Sequence, residues 1–359
     1  MKLFKCINCG QSVYFENTQC INCGLPLGFE TEMLETVALN VENNGIFCIK
    51  GNNSTTQYRY CNNYIYDVCN WLVPATSGNG YCKACELNRT IPDLGKTEYG
   101  QRWRKIENAK HRLIYQLLRM KLPLVSKQQD GYAGLIFDFM ADDTSDKKER
   151  VMTGHDDGVI TINIAEADDI EREMARKKMD EVYRTLLGHF RHEIGHYYWD
   201  RLIAHTNYLQ GFRNVFGNDN IDYATALKNY YENATVANWN EHYISAYATM
   251  HPWEDWAETW AHYMHIIDTL ETAYAFGLSV RPIVDETKKL DAEIKRDPYA
   301  IKDFETIIQL WLPLTFAMNS LNRSMGLLDI YPFLITPAVK EKMKFIHEVV
   351  MNESQRNVQ

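Results

Sequence analysis

The sequence predicts an α+β protein: a cysteine-rich, strand-forming N-terminal region followed by a mainly helical domain. Three observations predict it. All nine cysteines fall within the first 85 of 359 residues, and the rest of the chain has none. Beyond residue 95 the apolar residues recur at helical spacing, with one clear alternating stretch, Val159 to Ile164. Apolar residues make up 45% and charged residues 24%, which excludes a disordered or fibrous chain and leaves room for a core plus a smaller module or two.

The first element is a pair of knuckles. Cys6-Ile-Asn-Cys9 and Cys20-Ile-Asn-Cys23 are two CxxC turns, ten residues apart and each followed by a glycine, Gly10 and Gly24. Two such turns can set four thiolates tetrahedrally around zinc at about 2.3 Å. Glycine suits the tight turn after each second ligand. A redox reading needs a βαβ context that is absent. The second set is less regular. Cys82-Lys-Ala-Cys85 is a clear knuckle, and its partners must come from Cys48, Cys61 and Cys69. Cys61 and Cys69 are the expected ligands, with Cys48 a buried thiol in a strand; the alternative is that Cys48 replaces one of them. Metal replaces the core that so short a segment cannot build. Residues 1–95 hold six Lys or Arg against eight Asp or Glu, and thiolates add more negative charge, so protein contact is a better secondary role than phosphate binding.

The net charge, 38 basic minus 47 acidic, is −9, which argues against nucleic acid as a partner. Residues 96–122 are the exception, with eight Lys or Arg against Glu98 and Glu107. They read as a helix with an apolar stripe of Trp103, Ile106, Leu113, Leu117 and Met120, and its charges as a solvated face. The longest apolar run, Ile307 to Leu321, is broken by Gln309, Pro313 and Asn319, so no membrane span is expected. The N-terminus lacks the apolar region of a secretory signal, and the expected location is cytoplasmic.

Gly154 to Gly158 reads as a turn and Val159 to Ile164 as a strand, either an edge that could pair with an extended peptide or an ordinary sheet member. A helix is expected from Ile170 to Ile203, charge-rich at first, then apolar at Val182, Leu186, Leu187, Phe190, Ile194 and Trp199. It carries His192-Glu193-Ile-Gly-His196. Histidines at i and i+4 share a helix face and can grip one metal. Glu193 is about 100° around the helix, where it can take a proton from a water that the metal activates. His189 reads as a packed neighbour.

A catalytic zinc needs a third protein ligand and an open position. The segment His251-Pro-Trp-Glu254-Asp-Trp-Ala-Glu258-Thr-Trp-Ala-His262 supplies candidates. Pro252 marks a first helical turn. Glu254, Glu258 and His262 then form a polar line among tryptophans, costly unless those groups bind something. Glu254 is the expected third ligand, with Glu258 the alternative; the other carboxylate would hold a ligand histidine. His262 would bind substrate or support the site. Tyr247, or else Tyr243, would assist at the developing oxyanion. Asp303 to Leu321 and Ala338 to Met351 read as closing helices.

His192-Glu-x-x-His196 followed by Glu254-Asp-Trp-Ala-Glu258 resembles the gluzincin arrangement, whose second motif is a helix with a ligand glutamate and a supporting acid four residues later. Lethal-factor-type toxin peptidases and titration-factor peptidases are similar, although Asp255 departs from the aromatic found in the toxin motif. In the toxin type a tyrosine seven residues before the ligand glutamate assists catalysis, and Tyr247 has that offset. The chain resembles still more closely a bacterial family of zinc-binding metallopeptidases with an N-terminal zinc ribbon. The similar segments are Cys69-Asn-Trp-Leu-Val-Pro74, Leu87-Asn-Arg-Thr-Ile-Pro-Asp93, Thr153-Gly-His-Asp-Asp-Gly158, Gly188-His-Phe-Arg-His-Glu193 and Trp253-Glu-Asp-Trp-Ala-Glu-Thr-Trp260. The resemblance covers residues 1 to about 280 and implies a zincin-like fold.

The expected organisation is a four-cysteine zinc ribbon at 1–30, a second cysteine-rich module at 31–95 and a zincin-like catalytic domain at 96–359. The expected cofactors are three zinc ions, two structural and one catalytic. The expected function is peptide hydrolysis with Glu193 as general base and a peptide or protein as substrate. The alternative is a non-catalytic regulator that binds a protein or peptide through its zinc ribbons and metal domain.

Overall fold

The computed structural model describes residues 2–43, 45–52, 55–142, 151–178, 184–233 and 236–357. By internal contacts the chain forms two compact units, residues 1–119 with 124–187, and residues 120–123 with 188–359.

The first unit begins with a two-stranded antiparallel ribbon, β1 (Phe4–Lys5) and β2 (Ser12–Val13). A five-stranded antiparallel sheet follows: β3 (Leu27–Glu30), β4 (Glu35–Val41), β5 (Phe47–Ile49), β6 (Tyr58–Tyr60) and β7 (Leu72–Pro74), in sequence order. A bridge between Phe29 and Trp71 brings its first and last strands together. The strands bury one apolar cluster of Val37, Leu39, Ile49 and Leu72. A second, aromatic core joins both cysteine regions to helix α1 (Thr97–Arg119). Phe15 packs against Phe29, Trp71 and Tyr115, with ring centroids 4.8, 6.1 and 5.4 Å away.

α1 corrects one expectation. Its basic residues are not all solvated: Lys110 and Glu107 are fully buried and paired at 2.9 Å. Trp103 and Asn88 each donate a further hydrogen bond to Glu107. The opposite charges and these bonds, both to Oε1 of Glu107, offset part of the cost of burying the pair. The apolar stripe itself is buried throughout, from Trp103 to Met120.

The remaining sheet of this unit runs β10 (Gly154–Asp156), β11 (Val159–Asn163), β9 (Ile136–Met140), β8 (Asn88–Thr90). β11 is flanked by β10 and β9, so the edge reading of Val159 to Ile164 does not hold; it is an interior strand whose ladder is already filled on both sides. Ile160 and Ile162 are its buried face. The single helix expected from Ile170 to Ile203 is two, α2 (Asp169–Lys178) and α3 (Leu186–Leu202). The apolar stripe belongs to α3 alone, while Ile170 and Met174 on α2 are exposed. Val182 lies outside the described residues.

The second unit is helical: α3 from Gly188 onward, α4 (Leu209–Phe216), α5 (Tyr223–Glu232), α6 (Pro252–Ala275), α7 (Phe304–Ser324) and α8 (Pro337–Arg356). A short antiparallel pair, β12 (Ser279–Val280) and β13 (Ala292–Glu293), precedes α7. α6 is the hub, packed by α4, α7 and α8. Trp256 and Trp260 on it are fully buried. Gly195 allows α3 to come close: a Cβ there would lie 3.1 Å from the Ala257 Cα and 3.2 Å from the Trp260 ring. The Trp256 indole N–H donates to the Gly195 carbonyl at 2.9 Å across the same contact.

α8 is pinned to α6 by charge. The buried Lys342 ammonium sits 2.6 Å from Asp255, donates to the His242 carbonyl at 2.7 Å and lies 4.1 Å from the Tyr243 ring centroid. Burial pushes the Asp255 carboxyl up to about 7 despite that cation. Lys342→Met should therefore destabilise this unit by about 3–5 kcal/mol, because it strands a buried acid. Adding Asp255→Leu should recover most of the loss. Thermal melts of the single and double variants check both statements.

Candidate functional site

The structure gathers the cysteines into two clusters: Cys6, Cys9, Cys20 and Cys23, and Cys61, Cys69, Cys82 and Cys85. Tetrahedral zinc with bonds of about 2.3 Å sets its sulfurs about 3.8 Å apart. The observed separations are 3.7 Å for Cys6 to Cys23, 3.6 Å for Cys9 to Cys20 and 3.7 Å for Cys69 to Cys82. In the first cluster Gly10 and Gly24 take positive φ of 79° and 71°, and their N–H groups bond back to the Cys6 and Cys20 carbonyls. The second cluster is buried at all four cysteines. Its sulfurs accept backbone N–H groups, Trp71 onto Cys69 and Cys82 onto Cys61, each at 3.4 Å. His111 of α1 stands beside it, Nδ1–H donating to the Glu107 carbonyl and Nε2 3.7 Å from the Cys85 sulfur. Cys48 is on β5, half-buried rather than buried, and outside both clusters.

The third cluster is His192, His196 and Glu254. α3 sets the two imidazoles one turn apart, and α6 brings Glu254 in its first turn. That turn is capped by His251, whose Nδ1 accepts the Trp253 N–H at 3.0 Å, with Pro252 beginning the helix. The two Nε2 atoms are 3.1 Å apart, and Glu254 Oε2 lies 3.0 Å from one and 3.4 Å from the other. Ligands about 2.05 Å from a tetrahedral zinc are about 3.3 Å apart, so the set matches the edges of such a site. Oε2 is buried and accepts no hydrogen bond.

Glu258 points elsewhere. Its Oε1 accepts the His192 Nδ1–H at 2.7 Å, and its Oε2 accepts the Ser245 hydroxyl at 2.6 Å. That fixes the tautomer in which His192 Nε2 offers a lone pair. Burial would raise the Glu258 carboxyl, but the His192 ring beside it holds it down to about 2. Burial likewise opposes ionisation of Glu254, and the two histidine rings overcome it, holding this acid well below its ordinary value. Glu193 is buried next to the histidines, and desolvation raises its carboxyl despite their pull. Tyr247 lies with its ring 6.2 Å from that of His192, and burial keeps its phenol protonated. Tyr243 is instead taken up by Lys342. His262 is buried between Tyr331, 3.0 Å from its Nδ1, and Phe333; burial lowers it to about 4 against the pull of Glu258. His189 is half-buried and outside the cluster.

Two contributors, Ser245 and Tyr223, had no signal in sequence spacing, whereas Trp253 was expected to pack around the polar line. Ser245 holds Glu258, Tyr223 donates to Glu254 Oε1 at 2.8 Å, and Trp253 packs 3.7 Å from the His196 ring. Tyr223 begins a helix behind the N-capping Asp222, a pattern that locates the helix and not the contact.

No helix among the described residues is long and apolar enough to cross a membrane. A zinc-ribbon domain model matches residues 3–96. The chain is 43% identical, over 98% of its length and 95% of theirs, to uncharacterized proteins of Mycobacterium bovis and of two Mycobacterium tuberculosis strains. No solved structure matches it. A family model described as "Putative zinc-binding metallo-peptidase" matches residues 99–349, and with its two cysteine clusters and its histidine–glutamate cluster the chain belongs to that family.

Proposed function

We propose that the chain is a zinc-dependent peptidase with one catalytic zinc at His192, His196 and Glu254 and structural zinc at each cysteine cluster. The observation that carries this reading is the histidine–glutamate set itself: three ligand atoms at tetrahedral spacing, a buried carboxylate oxygen that accepts no hydrogen bond and a buried Glu193 beside them. Zinc in such a site lowers the pKa of water toward about 7. Glu193 takes a proton from the attacking water and returns it to the leaving amine. The Tyr247 phenol donates a hydrogen bond to the oxyanion that develops on the peptide carbonyl. Glu258 and Ser245 keep His192 oriented. The substrate is a peptide or protein, and the zinc ribbons supply stability and a surface for protein contact. Four-thiolate sites require reduced cysteines, which suits the cytoplasm.

Metal content tests the reading. Protein purified without added metal should hold three zinc ions per chain, and His196→Ala should hold two. Two in both proteins, with no further uptake on adding zinc, would remove the catalytic site.

A further inference from the structure

The two oxygens of Glu254 are in different situations. Oε2 faces the histidine nitrogens and accepts no hydrogen bond. Oε1 accepts the Tyr223 hydroxyl at 2.8 Å. A carboxylate can bind zinc through one oxygen or through both, and the second mode fills space that an incoming water would use. A phenol donating to Oε1 engages the lone pair that the second mode requires.

Tyr223 is held in place by the ends of two helices. Asp222 caps α5 by accepting the Thr225 N–H at 2.9 Å. His251 caps α6 through Nδ1, and its Nε2–H donates to the Ile221 carbonyl at 3.0 Å, two residues before Tyr223. The Tyr223 ring then packs edge-on against His251 and Trp253, at 5.6 and 5.8 Å. One histidine therefore fixes both the turn that presents Glu254 and the turn that presents its hydrogen-bond donor.

We propose that Tyr223 is a positioning residue that makes Glu254 a one-oxygen ligand and so keeps a coordination position open for water. The proposal rests on the reading of His192, His196 and Glu254 as a metal site. It assigns the Tyr223 hydroxyl a role that differs from the one proposed above for Tyr247. Removing the hydroxyl frees Oε1 to turn toward the metal, raising the coordination number without removing a ligand.

Cobalt(II) reports this directly, because its visible absorption is strong when four-coordinate and much weaker when five-coordinate. The histidine site would be loaded with cobalt while the cysteine clusters keep zinc, and the spectrum of His196→Ala subtracted. Tyr223→Phe should still bind one cobalt at this site, with its visible absorption reduced several-fold. On the zinc form, kcat for a peptide substrate should fall with KM little changed. Normal cobalt uptake with an unaltered spectrum would overturn the proposal and leave the metal site standing. Failure of the wild-type protein to take up more cobalt than His196→Ala would overturn the metal site and the proposal with it.

Discussion

Glu193→Gln is expected to keep its full zinc content and to lose peptide hydrolysis by a factor of roughly 10²–10⁴, the range for removing a positioned general base. Glutamine has the same shape, so the space that the buried Glu193 side chain fills on α3 is not emptied. Neither His192 nor His196 depends on the Glu193 side chain for its orientation: His192 is held by Glu258, and His196 packs on Trp253. The measurement is kcat/KM on a cleaved peptide together with metal per chain. Hydrolysis at the wild-type rate would exclude Glu193 as the base. Loss of activity together with loss of the third zinc would assign it a structural role instead.

The largest effect on stability is expected at the second cysteine cluster. Cys61, Cys69, Cys82 and Cys85 are all buried, and they stand where a small domain would place its core. Around them β6, β7 and β8 are each three residues long. A structural zinc in such a setting is worth about 10–16 kcal/mol apparent, as much as the whole stability of an ordinary domain. Cys82→Ser should therefore abolish cooperative folding of the N-terminal unit rather than merely lower its melting temperature. Cys48→Ser, outside both clusters, should change stability by less than about 0.5 kcal/mol. Zinc content, thermal melts and limited proteolysis of the two variants separate these outcomes. A Cys82→Ser protein that melts cooperatively near the wild-type temperature would mean that apolar packing, not metal, holds this region.

The candidate ligand clusters were legible because ligation imposes local spacing. Two residues between cysteines, or three between histidines on a helix, bring ligand atoms within reach of one ion before any tertiary structure forms. The same logic reached Glu254 and Glu258, since a polar line inside a tryptophan-rich helix calls for partners. What spacing could not reach were contacts made only by folding. Tyr223 and Glu254 are 31 residues apart. The Ser245 hydroxyl that anchors Glu258 comes from a loop with no periodicity of its own. Pairing was also hidden: the alternation of β11 reveals its two faces, not whether its two edges are filled. Lys110 looked solvated for a related reason. An i,i+3 charge pair reads the same in sequence whether it lies in water or under a sheet.

The Lys342–Asp255 pair also has a consequence for the order in which the protein is made. Asp255 leaves the ribosome 87 residues ahead of its cation. At about 5–20 residues per second that interval lasts roughly 4–20 s. During it Asp255 is without the cation beside which it is buried in the folded unit. Completion of the contact between α6 and α8 at this pair therefore waits for α8.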